Sequence, residues 1–95
     1  MIRIVKLTFK EEHRQEFIDF VSEYKTHIES SRGCEKVDFL NDIANPNILF
    51  TYSHWESENH LNEYRNSDLF AKIWPHVKQW FDAKPEAWSV DRILH

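Results

Sequence analysis

The sequence predicts an α+β fold in which a four-stranded antiparallel sheet carries helices on one face. Short stretches of alternating apolar and polar residues occur near the start, in the middle and near the end of the chain. Two longer stretches instead repeat apolar residues at intervals of three and four, as amphipathic helices do. The predicted order is strand, helix, strand, strand, helix, strand, which is the ferredoxin-like βαββαβ arrangement.

Residues 2–9, "IRIVKLTF", predict the first strand because they alternate and are rich in β-branched side chains. One face of this strand carries Ile2 and Ile4, and the other carries Val5, Leu7 and Phe9. Because both faces are apolar, we expect both to be at least partly covered.

Residues 11–31 predict the first helix, with one apolar stripe that consists of Phe17, Phe20, Val21, Tyr24 and Ile28. Gly33 is the only glycine in the chain and follows this stretch, where a helix stop is expected.

Residues 34–42 and 48–56 predict two strands of a hairpin, because the segment 41–47 between them is dense in turn-forming residues. We expect Val37 and Phe39 of the second strand to point inward. On the third strand alternation separates two faces. We expect one face to look toward the helices, with Ile48, Phe50, Tyr52 and His54, and the other to look away, with Leu49 and Trp55.

Ser57 and Ser67 are expected to cap two helical segments, a short one to about Arg65 and a longer one over residues 68–81. Pro75 interrupts the longer pattern and predicts a kink near residues 68–71 or a new segment starting at Pro75. Residues 87–94 predict the fourth strand, with Trp88, Val90 and Leu94 on one face.

The totals place the chain among small globular domains. Its 95 residues fit one domain, 1–95. The net charge is −4 with both signs interspersed, so we expect no nucleic-acid partner. A single cysteine, Cys34, favours a reducing cytoplasm. We expect no membrane partner either, since the start of the chain does not look like a signal peptide and no apolar run is long enough to span a bilayer.

The apolar character of both sheet faces leads us to expect a homodimer. Helices cover only one face of such a sheet, and a second copy of the chain would shield the other. The sequence assigns Trp55 and Leu49 to this dimer interface.

Metal and nucleotide sites are not expected from the motifs. No two of the six histidines are four residues apart, and no carboxylate box accompanies them. One glycine cannot supply a glycine-rich phosphate loop. We expect Cys34 to be a buried small side chain.

Residues 51–70, "TYSHWESENHLNEYRNSDLF", resemble the antibiotic biosynthesis monooxygenase (ABM) domain of the dimeric α+β barrel superfamily. The resemblance is carried by an alternating strand ending in Trp-Glu-Ser at residues 55–57, then Leu61, Tyr64, Ser67 and Phe70. Residues 31–39, "SRGCEKVDF", are similar to the helix stop and second strand of that family.

The resemblance implies homodimers whose sheets form a shared barrel, with a pocket between helices and sheet in each protomer. Some family members oxidise quinols or polyphenols with oxygen and no cofactor; others cleave haem, and others are isomerases or have no known reaction. A pocket aromatic of the family falls on Tyr64. Haem-cleaving members have an asparagine at the position of Val5 and an iron-ligating histidine at the position of Trp74, so haem is not expected here. His76 lies two residues after Trp74.

The sequence therefore predicts cofactor-independent oxidation of a small aromatic, quinol-like or polyphenol-like substrate. His54 would be the base and Tyr64 the orienting group. The substrate-binding residues would be Tyr52, Trp74, Phe50, Phe70 and His76. Alternatives remain open. Tyr64 and Trp74 are equally compatible with core packing, and His54 is also compatible with a partly solvated position at the end of the strand. The same scaffold also suits a non-catalytic ligand-binding or stress-related homodimer.

Overall fold

The computed structural model describes residues 1–94 and has the predicted order of elements. These are β1 (Ile2–Thr8), a short 3-10 helix (Glu11–His13), α1 (Arg14–Glu29), β2 (Cys34–Asn41), β3 (Ile48–Trp55), α2 (Glu58–Arg65), α3 (Asp68–Lys78) and β4 (Glu86–Val90). The strands form one antiparallel sheet in the order β2-β3-β1-β4. The α+β, ferredoxin-like prediction is confirmed.

Both predicted serine caps are present. Ser57 Oγ accepts a hydrogen bond from the His60 backbone N–H, and Ser67 Oγ accepts one from the Phe70 backbone N–H. Each bond satisfies one backbone donor that the first turn of a helix cannot pair internally. The two caps therefore fix where α2 and α3 begin.

The predicted new helical segment at Pro75 is wrong, because α3 continues through this residue. The alternative, a kink near residues 68–71, stays a prediction. Proline removes the hydrogen bond to the carbonyl of Ala71. Both residues are exposed, so water can hydrate that carbonyl. Ile73 and Val77 are buried on the opposite side and hold the helix against the core.

The predicted end of β4 is also wrong, because the strand stops at Val90 rather than at residue 94. Val90 pairs with Ile2, the first residue of β1. The chain beyond Val90 therefore has no further β1 residue to pair with, and Ile93 and Leu94 are exposed.

The two faces of β3 are the reverse of those predicted. The β2–β3 register places Val37 opposite Ser53 and Phe39 opposite Thr51. Since Val37 does point inward, as predicted, the face of β3 that looks toward the helices carries Leu49, Thr51, Ser53 and Trp55. A change of one residue in register would exchange the faces, so the alternation pattern alone could not decide between them.

The core lies between this inner sheet face and the helices α1 and α3. Its buried members are Leu7, Phe9, Phe17, Val21, Ile28, Val37, Leu49, Ile73, Val77 and Trp80. The outer sheet face is also apolar but has no helix over it: Trp88 is 45% exposed and Leu40 is 48% exposed. Within residues 1–94, no helix combines the length and the apolar character that crossing a bilayer requires.

Candidate ligand cavity between the helices and the sheet

A cavity of about 310 Å³ lies between the inner sheet face and the helices. The sheet contributes Arg3, Val5, Leu7, Val37, Phe39, Thr51, Ser53, Trp55 and Ala87 to its lining. The helices contribute Phe17, Val21, Ile28, Leu61, Tyr64, Arg65, Phe70, Ile73, Trp74 and Val77, and Pro85 completes it. A mostly apolar cavity with a few polar groups is typical of a small-molecule site.

Four aromatic side chains form a continuous wall of the cavity. The ring centroids of Trp55 and Tyr64 are 5.2 Å apart, and those of Tyr64 and Phe70 are 5.3 Å apart. Phe70 stacks in turn with Trp74, with centroids 5.7 Å apart. Such a wall offers flat faces on which a planar aromatic ligand can stack.

Tyr64 is the one phenol in the lining. It lies on α2, three residues after the buried Leu61, so the helix that Ser57 caps turns its ring toward the sheet. Burial, with a smaller contribution from the neighbouring Cys34, raises the pKa of Tyr64 to about 12. Tyr64 is therefore a neutral hydrogen-bond donor at physiological pH and not a base.

Ser53 fixes the indole of Trp55 at the end of β3. The Trp55 Nε1–H donates to Ser53 Oγ at 2.9 Å, and both side chains are buried. The Ser53 hydroxyl in turn donates to the backbone carbonyl of Arg3 at 3.4 Å. These bonds satisfy buried polar groups that would otherwise destabilise the fold.

The lining carries two positive charges, on Arg3 and Arg65, and no carboxylate. Arg3 is half-buried on β1, and its Nη1 donates to Ser89 Oγ on β4 at 2.9 Å. Burial and the charge of Arg65 lower the pKa of Arg3, while Glu58 opposes them. The cavity is thus electropositive although the whole chain is acidic.

Three of the predicted substrate-site residues line this cavity: Tyr64, Phe70 and Trp74. The predicted inward placement of Phe50, Tyr52 and His54 is wrong, because the β3 register puts them on the outer sheet face. The rings of Tyr52 and His54 are 5.2 Å apart there. His54 Nε2 is buried and has no hydrogen-bond partner within residues 1–94.

The predicted positions of Trp55, Leu49 and His76 are wrong as well. Trp55 and Leu49 are 1% and 5% exposed and lie beneath the helices, so they cannot supply surface to a dimer interface on the other face. His76 is exposed and lies outside the cavity lining, where it stacks on Phe20 with ring centroids 4.3 Å apart.

Arg3, Arg65, Thr51 and Ser53 are the polar lining residues that the sequence did not single out. One signal did exist for Arg3. It shares a strand face with Val5 and Leu7, and an arginine in an otherwise inward-facing row is unusual. Arg65 gave no such signal, since a basic residue in the last turn of a helix is common.

The lining does not match a haem site. As far as residue 94 it contains no histidine, cysteine or methionine, and its one potential iron ligand there, Tyr64, resists the ionisation that ligation needs. Within the part of the chain that the structure covers, no three His, Cys, Asp or Glu side chains come together as a metal-binding group.

Solved structures share this fold over nearly the whole chain. A conserved protein from Methanosarcina mazei Go1 is 29% identical, with a TM-score of 0.84, and the match covers 90% of this chain and 86% of that one. A protein from Nitrosomonas europaea has a TM-score of 0.90 at 12% identity, over 97% of this chain and 88% of that one. A crystal structure of an antibiotic biosynthesis monooxygenase has a TM-score of 0.89 at 14% identity, over 99% and 100%.

Among curated proteins, none is similar enough to count as a match. The family model described as antibiotic biosynthesis monooxygenase, however, matches residues 1–83. This match extends from β1 through β2, β3 and all the helices, and so includes nearly every residue that lines the cavity. The chain therefore belongs to the antibiotic biosynthesis monooxygenase family.

Proposed function

We propose that this protein is a monooxygenase that oxidises a small quinol-like or polyphenol-like substrate with molecular oxygen and without a cofactor. The observation that carries the proposal is the aromatic-walled cavity of about 310 Å³ in a chain of this family. A planar substrate would stack against Phe70 and Trp74, which are partly exposed, and the apolar remainder of the lining would hold oxygen beside it.

The chemistry needs no external reductant. A quinol anion transfers one electron to oxygen. The resulting radical pair forms a carbon–oxygen bond at a ring carbon that carries hydrogen, and the product is a hydroperoxide. Loss of water from this hydroperoxide breaks the oxygen–oxygen bond and leaves a hydroxyquinone. The substrate loses four electrons and oxygen accepts four, so one oxygen atom ends in the product and one in water.

Tyr64 would hydrogen-bond to the substrate oxygen on which negative charge develops. Its neutral phenol is a donor throughout the physiological pH range because its pKa is raised to about 12. A donor in a site that excludes water stabilises developing charge more strongly than the same donor does in water. His54 has no part in this chemistry, since it lies on the other sheet face.

We also propose that two copies of the chain associate through the outer sheet face. This face carries Ile4 and Tyr52 in register with Trp88, and it continues to Phe50 and Leu40. The helices leave this face uncovered, and Trp88 is exposed on it. Contact with a second copy of the chain would remove this apolar surface from water.

Oxygen uptake with a panel of quinols tests the monooxygenase proposal, and two tyrosines provide matched variants. Tyr64→Phe removes the cavity hydroxyl, whereas Tyr52→Phe removes a hydroxyl from the outer face. We expect kcat/KM to fall by about tenfold or more in Tyr64→Phe and to change little in Tyr52→Phe. Binding of quinols without oxygen uptake would refute the monooxygenase and favour a ligand-binding module.

A further inference from the structure

We infer that Arg3 and Arg65 bind an anionic group of the ligand, so that the preferred ligands of the cavity are aromatic anions. The inference depends on the proposed function in that it places the substrate in this cavity. It narrows the substrate class to aromatic carboxylates and to phenols or quinols that are acidic enough to ionise at an arginine pair.

The cavity lining is positively charged. Within residues 1–94 it has twenty side chains, of which two are arginines and none is Asp, Glu, Lys or His. The chain as a whole carries 16 acidic and 12 basic residues, so an acid-free, doubly cationic lining runs against its composition. Positive charges beside a low-dielectric surface attract anions more strongly than they would in open water.

Arg3 is held by its neighbours in the sheet but keeps free donors. It lies between Ser53 and Ser89 in the register of β3, β1 and β4. Its guanidinium donates to Ser89 Oγ at 2.9 Å, and this is its one side-chain hydrogen bond within residues 1–94. A guanidinium has five N–H donors in a planar fork, so a ligand carboxylate can still take two of them.

No carboxylate of the described residues neutralises the two arginines. Neither guanidinium forms an ion pair with a carboxylate in the described part of the chain. Glu58, at the start of α2, favours the charged form of Arg3, but it does not line the cavity. Arg3 and Arg65 instead repel one another, and an anion between them would relieve that repulsion.

The absence of a base from the described lining gives the inference a chemical consequence. Tyr64 is the only other titratable side chain there, and it stays protonated. A phenolic substrate must therefore enter as an anion or lose its proton to water under the influence of the two arginines. The phenolate that reacts with oxygen is then supplied by the ligand itself, and no histidine of the protein needs to deprotonate it.

Isothermal titration calorimetry with 1-hydroxy-2-naphthoate and its neutral amide, 1-hydroxy-2-naphthamide, tests this inference. The two probes differ in charge but hardly in shape, and binding can be measured without any turnover. The variants are Arg65→Gln, Arg3→Gln and the double variant. Arg32→Gln is the matched control, because it removes the same charge from an exposed position outside the cavity.

We expect wild type to bind the naphthoate about tenfold or more tightly than the amide. The preference should shrink severalfold in each single variant, disappear in the double variant and persist in Arg32→Gln. Should Arg3→Gln fail to fold, the exposed Arg65 still gives a test through Arg65→Gln and Arg65→Glu. Equal binding of the two probes by wild type, or a full preference in the arginine variants, would overturn the inference.

This result is separable from that of the oxygen-uptake experiment. An arginine-dependent preference for the anion in a protein that consumes no oxygen would keep the inference and refute the monooxygenase. If the double variant consumed oxygen as fast as wild type with neutral, weakly acidic quinols, the monooxygenase would stand and the inference on the arginines would be refuted.

Discussion

The rings of Trp55 and Tyr64 stack with centroids 5.2 Å apart and planes 29° apart. This contact joins the last residue of β3 to α2, and it places the phenol of Tyr64 against one of the two indoles in the described cavity lining. Trp55 therefore belongs both to the folding core and to the proposed binding wall.

Replacing Trp55 with alanine should destabilise the protein by about 3–5 kcal/mol, because the indole is 1% exposed and loses all its packing. Ile43 is 99% exposed, so Ile43→Ala should change the free energy of unfolding by less than about 0.5 kcal/mol. Urea denaturation at one protein concentration measures both. A loss below about 1 kcal/mol for Trp55→Ala would mean that the indole is not packed as described.

Alkaline pH should destabilise the wild-type protein through Tyr64. The pKa is raised to about 12 in the fold, against about 10 for an unfolded tyrosine, so the neutral phenol is the form that the fold favours. This contribution is complete below about pH 10 and is lost as the pH rises through about 12, up to about 3 kcal/mol.

The measurement is the free energy of unfolding against pH in wild type and Tyr64→Phe. The slope between about pH 10 and 12 should be shallower in Tyr64→Phe than in wild type. Identical slopes in wild type and Tyr64→Phe would show that the phenol is not desolvated.

Gly33→Ala should destabilise the protein by more than about 2 kcal/mol for two separate reasons. Gly33 has φ +79°, which a side chain disfavours, and an added Cβ would clash with the side chain of His60. In a His60→Gly background the clash is gone and only the backbone cost of about 1–2 kcal/mol remains. A double-mutant cycle that shows no coupling between the two positions would rule out the clash.

Trp88→Glu should convert the proposed dimer to a monomer, because it replaces an exposed apolar side chain of the outer sheet face with a charge. Ile43→Glu adds the same charge in the turn between β2 and β3 and should leave the dimer intact. Sedimentation velocity distinguishes these states. A wild-type protein that sediments as a single chain at micromolar concentration would refute the dimer.

The sequence predicted the elements of the fold well because periodicity depends only on local spacing. Strand alternation, the helical stripe and the two serine caps are all properties of neighbouring residues. The end of β4 was not predictable in the same way, since it depends on where its partner strand begins.

The site was predicted only in part, because it depends on long-range register. Tyr64, Phe70 and Trp74 lie on helices, whose inward face the apolar stripe defines, and they line the cavity as predicted. On β3 both faces are apolar, so the sequence alone did not exclude the orientation that points Tyr52 and His54 at the helices. The structure determines the orientation through the pairing of Val37 with Ser53.

A crystal structure of the protein with 1-hydroxy-2-naphthoate shows whether an aromatic ligand binds on the inner face of the sheet. We predict that the naphthalene ring lies against Phe70 and Trp74, which are partly exposed, with its oxygen substituents directed at Tyr64, Arg3 and Arg65. A ligand bound on the outer face against Tyr52 and His54, with the inner cavity filled by side chains, would refute this binding site.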